Sequence, residues 1–365
     1  MQGRSPSDVI KPEVRRLSAY TLKHVKADVK LDQNENPYEL PQDLKEEVAR
    51  RVLARPWGRY PEFVPHSMIA ALSKFTGWTE DGILVGNGSN ELILAGLSVV
   101  LGSSCKAVIP QPTFTLYKLL SSVFQANAVS VPLNASDFSF NVDALEAEAR
   151  DAAVTVICSP NNPTGCVLSD DDLCGLLKSN DCLVVVDEAY HEFARHSVVP
   201  LLHEHKNLVV LRTFSKAMSM AALRVGYLLA APELTREIGK AVLPYNLNAF
   251  SQTAAEVAIE LYQEELRPQV QRIIDERERL YRQLSRLEGL TPLRSQGNFM
   301  AVRTNVDPKR VFAELLKQDI LIRDVSSYPM LSEYFRVSVG TPEENDLLLE
   351  ALRKIVEPAS RVLEG

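Results

Sequence analysis

The sequence predicts an α/β protein: a large domain with a mostly parallel, mixed sheet covered by helices, followed by a smaller α+β domain. Three observations carry this. Short apolar runs alternate with helical patterns through the middle of the chain. One long amphipathic helix then follows, and beyond it the rhythm shortens. The 365 residues are enough for two domains with a large buried core. Hydrophobic residues at 45% and charged residues at 24% are ordinary globular usage.

The elements can be justified in order. Val154-Thr155-Val156-Ile157-Cys158, Leu183-Val184-Val185-Val186 and Leu208-Val209-Val210-Leu211 are continuous apolar runs. Such runs suit strands buried on both faces, as in a parallel sheet. A polar, helix-like stretch from Ser169 to Lys178 separates the first two, as a parallel crossover requires. From Leu266 to Leu287, the apolar residues Val270, Ile273, Ile274, Leu280, Leu284 and Leu287 recur at helical spacing. The last helix has a defined start, with Thr341 as N-cap, Pro342 at the first helical position and Glu344 closing a capping box. We read residues 41–289 as the large domain, and residues 1–40 with 290–365 as the small one.

Composition excludes several functions. A net charge of −7 disfavours nucleic acid and anionic membranes, which need a basic face. No run of about 18 apolar residues is present to span a bilayer. The cysteines Cys105, Cys158, Cys166, Cys174 and Cys182 form no C-x-x-C pair, and the histidines form no ligand set, so no metal is expected. An odd number of thiols and no apolar leader point to the cytoplasm.

Parallel sheets bind ligands beyond the carboxyl ends of their strands. The chemistry-bearing segments fall there: Ser159-Pro160-Asn161-Asn162-Pro163-Thr164-Gly165, Asp187-Glu188-Ala189-Tyr190, Thr213-Phe214-Ser215-Lys216 and Leu223-Arg224-Val225-Gly226-Tyr227. An earlier segment, Gly86-Asn87-Gly88-Ser89-Asn90-Glu91, opens a helix. Each alone has a plain explanation: a turn, a helix cap, a solvated lysine. Together they supply what pyridoxal 5'-phosphate needs. Lys216 offers an amine for the aldehyde. Asp187 offers an acid that keeps the pyridine nitrogen protonated. Tyr190 and Asn162 offer donors to the phenolate oxygen. Arg224, Ser215 and the amides of Gly88, Ser89 and Asn90 offer a phosphate cradle at a helix N-terminus. Phe114 offers a ring to stack on the cofactor.

With these segments in order, the sequence resembles the class I/II (fold-type I) aminotransferases, and within them most the histidinol-phosphate aminotransferase family. The likeness runs from Leu31-Asp32-Gln33-Asn34-Glu35-Asn36-Pro37-Tyr38, through Arg59-Tyr60-Pro61 and Pro244-Tyr245-Asn246, to Val339-Gly340-Thr341-Pro342-Glu343-Glu344-Asn345. The resemblance implies the PLP-dependent transferase fold type I and a homodimer with a shared active site, in which Tyr60 reaches the neighbour's cofactor phosphate. It further implies that Arg336 clamps the substrate carboxylate, that Arg323 and Tyr20 lie near the substrate's far end, and that Asn36 belongs to the substrate site. The implied reaction is transamination of histidinol phosphate with 2-oxoglutarate. The alternatives on this scaffold are an aromatic amino-acid aminotransferase and a threonine-phosphate decarboxylase. A non-enzymatic regulator domain would need DNA-binding surface that the acidic chain does not suggest. The family commonly reads Ala-Phe-Gly-Leu-Ala-Gly after the lysine. Here Ala217-Met218-Ser219-Met220-Ala221-Ala222 carries neither glycine. Phe114 and Asn90 stand where Tyr and Asp are frequent in the family.

Overall fold

A computed structural model describes residues 5–18 and 25–356 of the chain. Its central feature is a seven-stranded sheet. The strands, in chain order after the short β1 (Val29–Lys30), are β2 (Ile83–Asn87), β3 (Lys106–Gln111), β4 (Asn127–Pro132), β5 (Val154–Cys158), β6 (Leu183–Asp187), β7 (Leu208–Thr213) and β8 (Val225–Ala230). Their spatial order is β2-β8-β7-β6-β5-β3-β4. The five strands from β4 to β7 pair in parallel, and β8 pairs antiparallel with both β7 and β2.

The three apolar runs are β5, β6 and β7, and every residue in them is buried. Alternate side chains on these strands serve opposite faces. Val184, Val186, Leu208 and Val210 join one apolar core, while Val185, Val209 and Leu211 join another across the sheet. The crossover helix Asp170–Ser179 is capped by the Ser169 side chain, which accepts from the Asp172 amide.

The long helix runs Arg267–Leu284, preceded by a wider π turn at Tyr262–Leu266. Beyond it lie β9 (Leu290–Pro292), β10 (Phe299–Thr304), β11 (Ile320–Leu321), β12 (Arg323–Asp324) and β13 (Tyr334–Ser338). Four of these form a sheet in the order β12-β13-β10-β9, and β11 pairs with β1. A separate apolar cluster fills this unit, including Leu280, Met300, Val311, Phe335 and Leu348. Of the N-terminal segment expected to join it, β1 does so, while the helix Pro12–Arg16 lies against the helix Leu116–Val123 beside the large sheet. The last helix, Pro342–Val356, has the expected capping box. The Thr341 amide donates to Glu344 Oε2 (2.8 Å), and the Glu344 amide donates to Thr341 Oγ1 (3.2 Å).

Strand direction decides where function can gather. The carboxyl ends of β3, β5, β6 and β7 share one edge of the large sheet. Because β8 is antiparallel, its amino end falls there too, and the register Asn87↔Val225 adds the end of β2.

Candidate active site

A cavity of about 320 Å³ opens at this edge, between the two units. Among its lining residues are Ser89, Asn90, Phe114, Asn162, Asp187, Tyr190, Ser215, Lys216, Arg224, Arg323 and Arg336. The cavity therefore gathers all but four of the residues singled out from the sequence.

Asp187 ends β6 and is buried. Its Oδ1 accepts from the Ala189 amide (3.1 Å) and its Oδ2 from the Tyr117 hydroxyl (2.7 Å). Burial pushes its carboxyl up to about 6, against the pull of the Tyr117 hydrogen bond. Within the protein this acid is held by neutral donors, an arrangement that suits a cationic ring nitrogen.

Lys216 Nζ donates to the Gln33 carbonyl (2.8 Å). Burial, and then the charge of Arg336, draw the amine down to about 8, which increases its neutral, nucleophilic fraction. The Tyr190 hydroxyl accepts from the amides of Asn34 (3.1 Å) and Asn162 (3.4 Å), so its own proton remains free to donate. Burial raises its pKa, so the phenol keeps that proton.

At the other end, Arg224 Nη1 donates to Ser215 Oγ (3.1 Å), which also accepts from Thr213 Oγ1 (3.0 Å). The Ser215 proton is left to point elsewhere. The helix Ser89–Val100 begins beside them. The amides of Ser89 and Asn90 in its first turn have no carbonyl one turn back to bond to, while that of Glu91 reaches the Gly88 carbonyl (3.3 Å), and the helix dipole makes that end attractive to an anion. Gly88 takes a different part from the one expected. Its amide is spent on the Gly86 carbonyl (2.8 Å). Its φ of 77° and its missing side chain matter instead, because a Cβ there would lie 2.3 Å from an Arg224 guanidinium nitrogen. Gly226 allows the same closeness from β8, where a Cβ would fall 2.3 Å from the Ser89 amide nitrogen.

Arg336 and Arg323 come from the small sheet as direct cross-strand partners on β13 and β12. Opposed residues share a face, and like charges so placed repel unless an anion joins them. Arg336 is buried, donating to Asn162 Oδ1 (2.6 Å) and to the Asp32 carbonyl (2.6 Å), and its guanidinium carbon stands 5.6 Å from the centre of the Phe299 ring.

Over residues 26–352 the chain matches the family Aminotransferase class I and II. The chain belongs to the class I and II aminotransferases. This is a family of enzymes that use pyridoxal 5'-phosphate. Among relatives, the histidinol-phosphate aminotransferase of Chlorobium phaeovibrioides is 39% identical over 95% of this chain and 96% of its own length. That of Chlorobaculum tepidum is 37% identical over 95% and 100%. In structure, the histidinol-phosphate aminotransferase of Sinorhizobium meliloti, solved with pyridoxal 5'-phosphate, superposes with a TM-score of 0.84 at 22% identity, covering 95% of this chain and 97% of that one.

The cavity fits the aminotransferase cofactor on its own terms: a buried acid held only by neutral donors, an amine inside, and a cradle that any Cβ at Gly88 or Gly226 would fill. The first of the family's two missing glycines has a local answer. Ser219 takes the left-handed backbone that glycine ordinarily supplies, with φ 54°, and its hydroxyl donates to the Tyr38 carbonyl (2.9 Å).

Two further residues named from the sequence lie elsewhere. Asn36 donates to the Ala217 carbonyl (3.2 Å), bracing the backbone next to Lys216 from outside the cavity lining. Tyr60 is 80% exposed and stacks on Tyr245 with ring centres 4.6 Å apart. Tyr20 falls outside the described residues.

Sequence reasoning missed Tyr117, Asn34 and Tyr328, all in the cavity lining. Tyr117 could have been found, since it follows Phe114 by three residues at a helix start. Asn34 lay within a quoted motif, but nothing local distinguishes it from Asn36. Tyr328 carries no signal in the sequence. Among the described residues no cluster of ligating side chains could hold a metal, and no helix is long and apolar enough to cross a membrane.

Proposed function

We propose that this chain is a histidinol-phosphate aminotransferase, exchanging the amino group of histidinol phosphate with 2-oxoglutarate. The observation that carries the substrate reading is the pair Arg323 and Arg336, side by side in the cavity that holds Lys216 and Asp187. Two guanidiniums suit substrates that alternate between a phosphate and a second carboxylate. The names of the relatives, at 36–39% identity over nearly the whole chain, support the same substrate.

In this reading Lys216 tethers the cofactor and Asp187 pairs with its ring nitrogen. Tyr190 and Asn162 serve its phenolate oxygen, and Phe114 its ring face. Ser215, Arg224 and the amides of Ser89 and Asn90 hold its phosphate, with Gly88 making room. Pyridoxal 5'-phosphate supplies an electron sink that makes the substrate Cα–H acidic. Lys216, freed when the substrate amine takes its place, holds and moves the Cα proton as base and then acid. Arg336 orients the carboxylate of glutamate or 2-oxoglutarate, and Arg323 the phosphate of histidinol phosphate. Tyr190 and Asn162 share the Asn34 and Arg336 network, so the cofactor and carboxylate ends of the site are braced together.

We infer a homodimer as well. Trp57, Tyr60, Phe63 and Leu243 are each more than 60% exposed, and Phe63 and Tyr60 both pack on Tyr245. An apolar patch of this kind suits a subunit interface, from which Tyr60 would reach the neighbouring site. The division into residues 41–289 and residues 1–40 with 290–365 is our domain proposal, supported by the separate cores of the two sheets. Five unpaired thiols suit a reducing cytoplasm.

Product analysis tests the reaction. Histidinol phosphate plus 2-oxoglutarate should yield glutamate and an oxo product. Carbon dioxide without any need for an oxo acid would instead mark a decarboxylase.

A further inference from the structure

Asp187 is faced from several elements, and among the described residues one side chain, that of Tyr117, hydrogen-bonds to it. Cys158, its register partner on β5, turns its thiol to the Pro160 carbonyl (3.3 Å). Glu188, next in the chain, is committed to Arg212 (2.9 Å) and to the Val198 amide (2.6 Å). Lys216 donates to Gln33, and the Tyr190 hydroxyl is held by Asn34 and Asn162. Tyr117, fully buried on the helix Leu116–Val123, donates its hydroxyl to Asp187 Oδ2 at 2.7 Å. Its ring also meets Phe114 edge-on, with centres 5.6 Å apart and planes at 84°.

We propose that Tyr117 is a positioning residue that keeps Asp187 ionised and aimed at the cofactor's ring nitrogen. This rests on the reading of Asp187 given above. A hydroxyl donated to a carboxylate stabilises its charged form, and in a dry site that preference is large. The bond length suits a charge-assisted bond. The phenol keeps its proton because burial, then the Asp187 charge, holds its pKa well above the ordinary value. Burial favours the neutral acid at Asp187, and the Tyr117 hydrogen bond opposes that. The same ring steadies Phe114, so one residue supports both the acid and the stacking partner.

The test is the dissociation constant of pyridoxal 5'-phosphate from the full-length protein between pH 5 and 8. Compare wild type, Tyr117→Phe, Asp187→Asn and the double variant. A raised carboxyl pKa is a proton held to higher pH, so cofactor affinity that depends on ionised Asp187 is lost as pH falls through that pKa. Tyr117→Phe keeps the ring against Phe114 and removes the donor. It should move the midpoint of this loss upward by about one pH unit, weakening binding about tenfold below the midpoint and leaving it unchanged above. Placing 3-fluorotyrosine at position 117 keeps the shape and strengthens the donor, so it should move the midpoint down. Neither change should matter once Asp187 is asparagine. An unmoved midpoint, or equal weakening at every pH, overturns the proposal. An Asp187→Asn protein that binds like wild type at every pH removes the Asp187 reading itself.

Discussion

In the proposed reading, Lys216 is the residue on which the chemistry turns. Borohydride reduction of the yellow holoenzyme should fix the cofactor to one peptide, the one containing Lys216. Lys216→Ala should abolish turnover while the far-ultraviolet spectrum stays unchanged, because the side chain is tether and proton carrier but not core. Labelling at another lysine would remove it from that role. The two arginines should divide the substrates. Arg323→Ala should cost histidinol phosphate most and Arg336→Ala glutamate most, each by roughly 1.5–3 kcal/mol, or about tenfold to more than a hundredfold in kcat/KM. Equal losses on both substrates in both variants would contradict this division. Lysine should rescue neither, since a point charge lacks the planar fork. At this scale much of the site was legible. Lys216, Asp187, Tyr190, Asn162 and Arg224 stand beside turns and strand ends with donor types that the cofactor chemistry demands. Partners that act through another residue were not legible. Tyr117 and Asn34 earn meaning only once the fold brings them to Asp187 and Tyr190.

Elements matter through how closely they approach. The amino end of β8 and the start of the helix Ser89–Val100 meet where Gly226 has no side chain. Gly226→Ala would press a methyl group against backbone that cannot swing aside, costing about 1–3 kcal/mol. It should lower the Tm of the protein and weaken retention of the cofactor, while Gly96→Ala, in the same helix with open space around it, should do neither. Equal cofactor retention in both variants would mean that the cradle tolerates widening. The buried strands and capped helices were legible because apolar runs and N-cap chemistry are local. The antiparallel placement of β8 and the pairing of Arg323 with Arg336 were not, because register is set by tertiary packing rather than by either strand's own residues. Ser219 shows the same limit, since its positive φ is held by the hydrogen bond to Tyr38 far away in sequence.

In the whole molecule, apolar cores packed on both sheets hold a cavity between them, and an exposed aromatic patch completes the surface. If Tyr60 serves the neighbouring subunit, mixing Tyr60→Ala subunits with Lys216→Ala subunits should restore activity. One site in each mixed dimer then carries both defects and the other carries none. Verified mixed dimers without recovery would return Tyr60 to its own chain. The most direct test of the whole reading is substrate choice in a single turnover. The purified holoenzyme is offered histidinol phosphate, phenylalanine, glutamate and phosphothreonine in turn, and loss of the bound cofactor's absorbance is timed. The expected result is that histidinol phosphate acts fastest, glutamate also acts, and phosphothreonine releases no carbon dioxide. Rapid loss with phenylalanine and none with histidinol phosphate would leave an aminotransferase standing and contradict the substrate assigned to it.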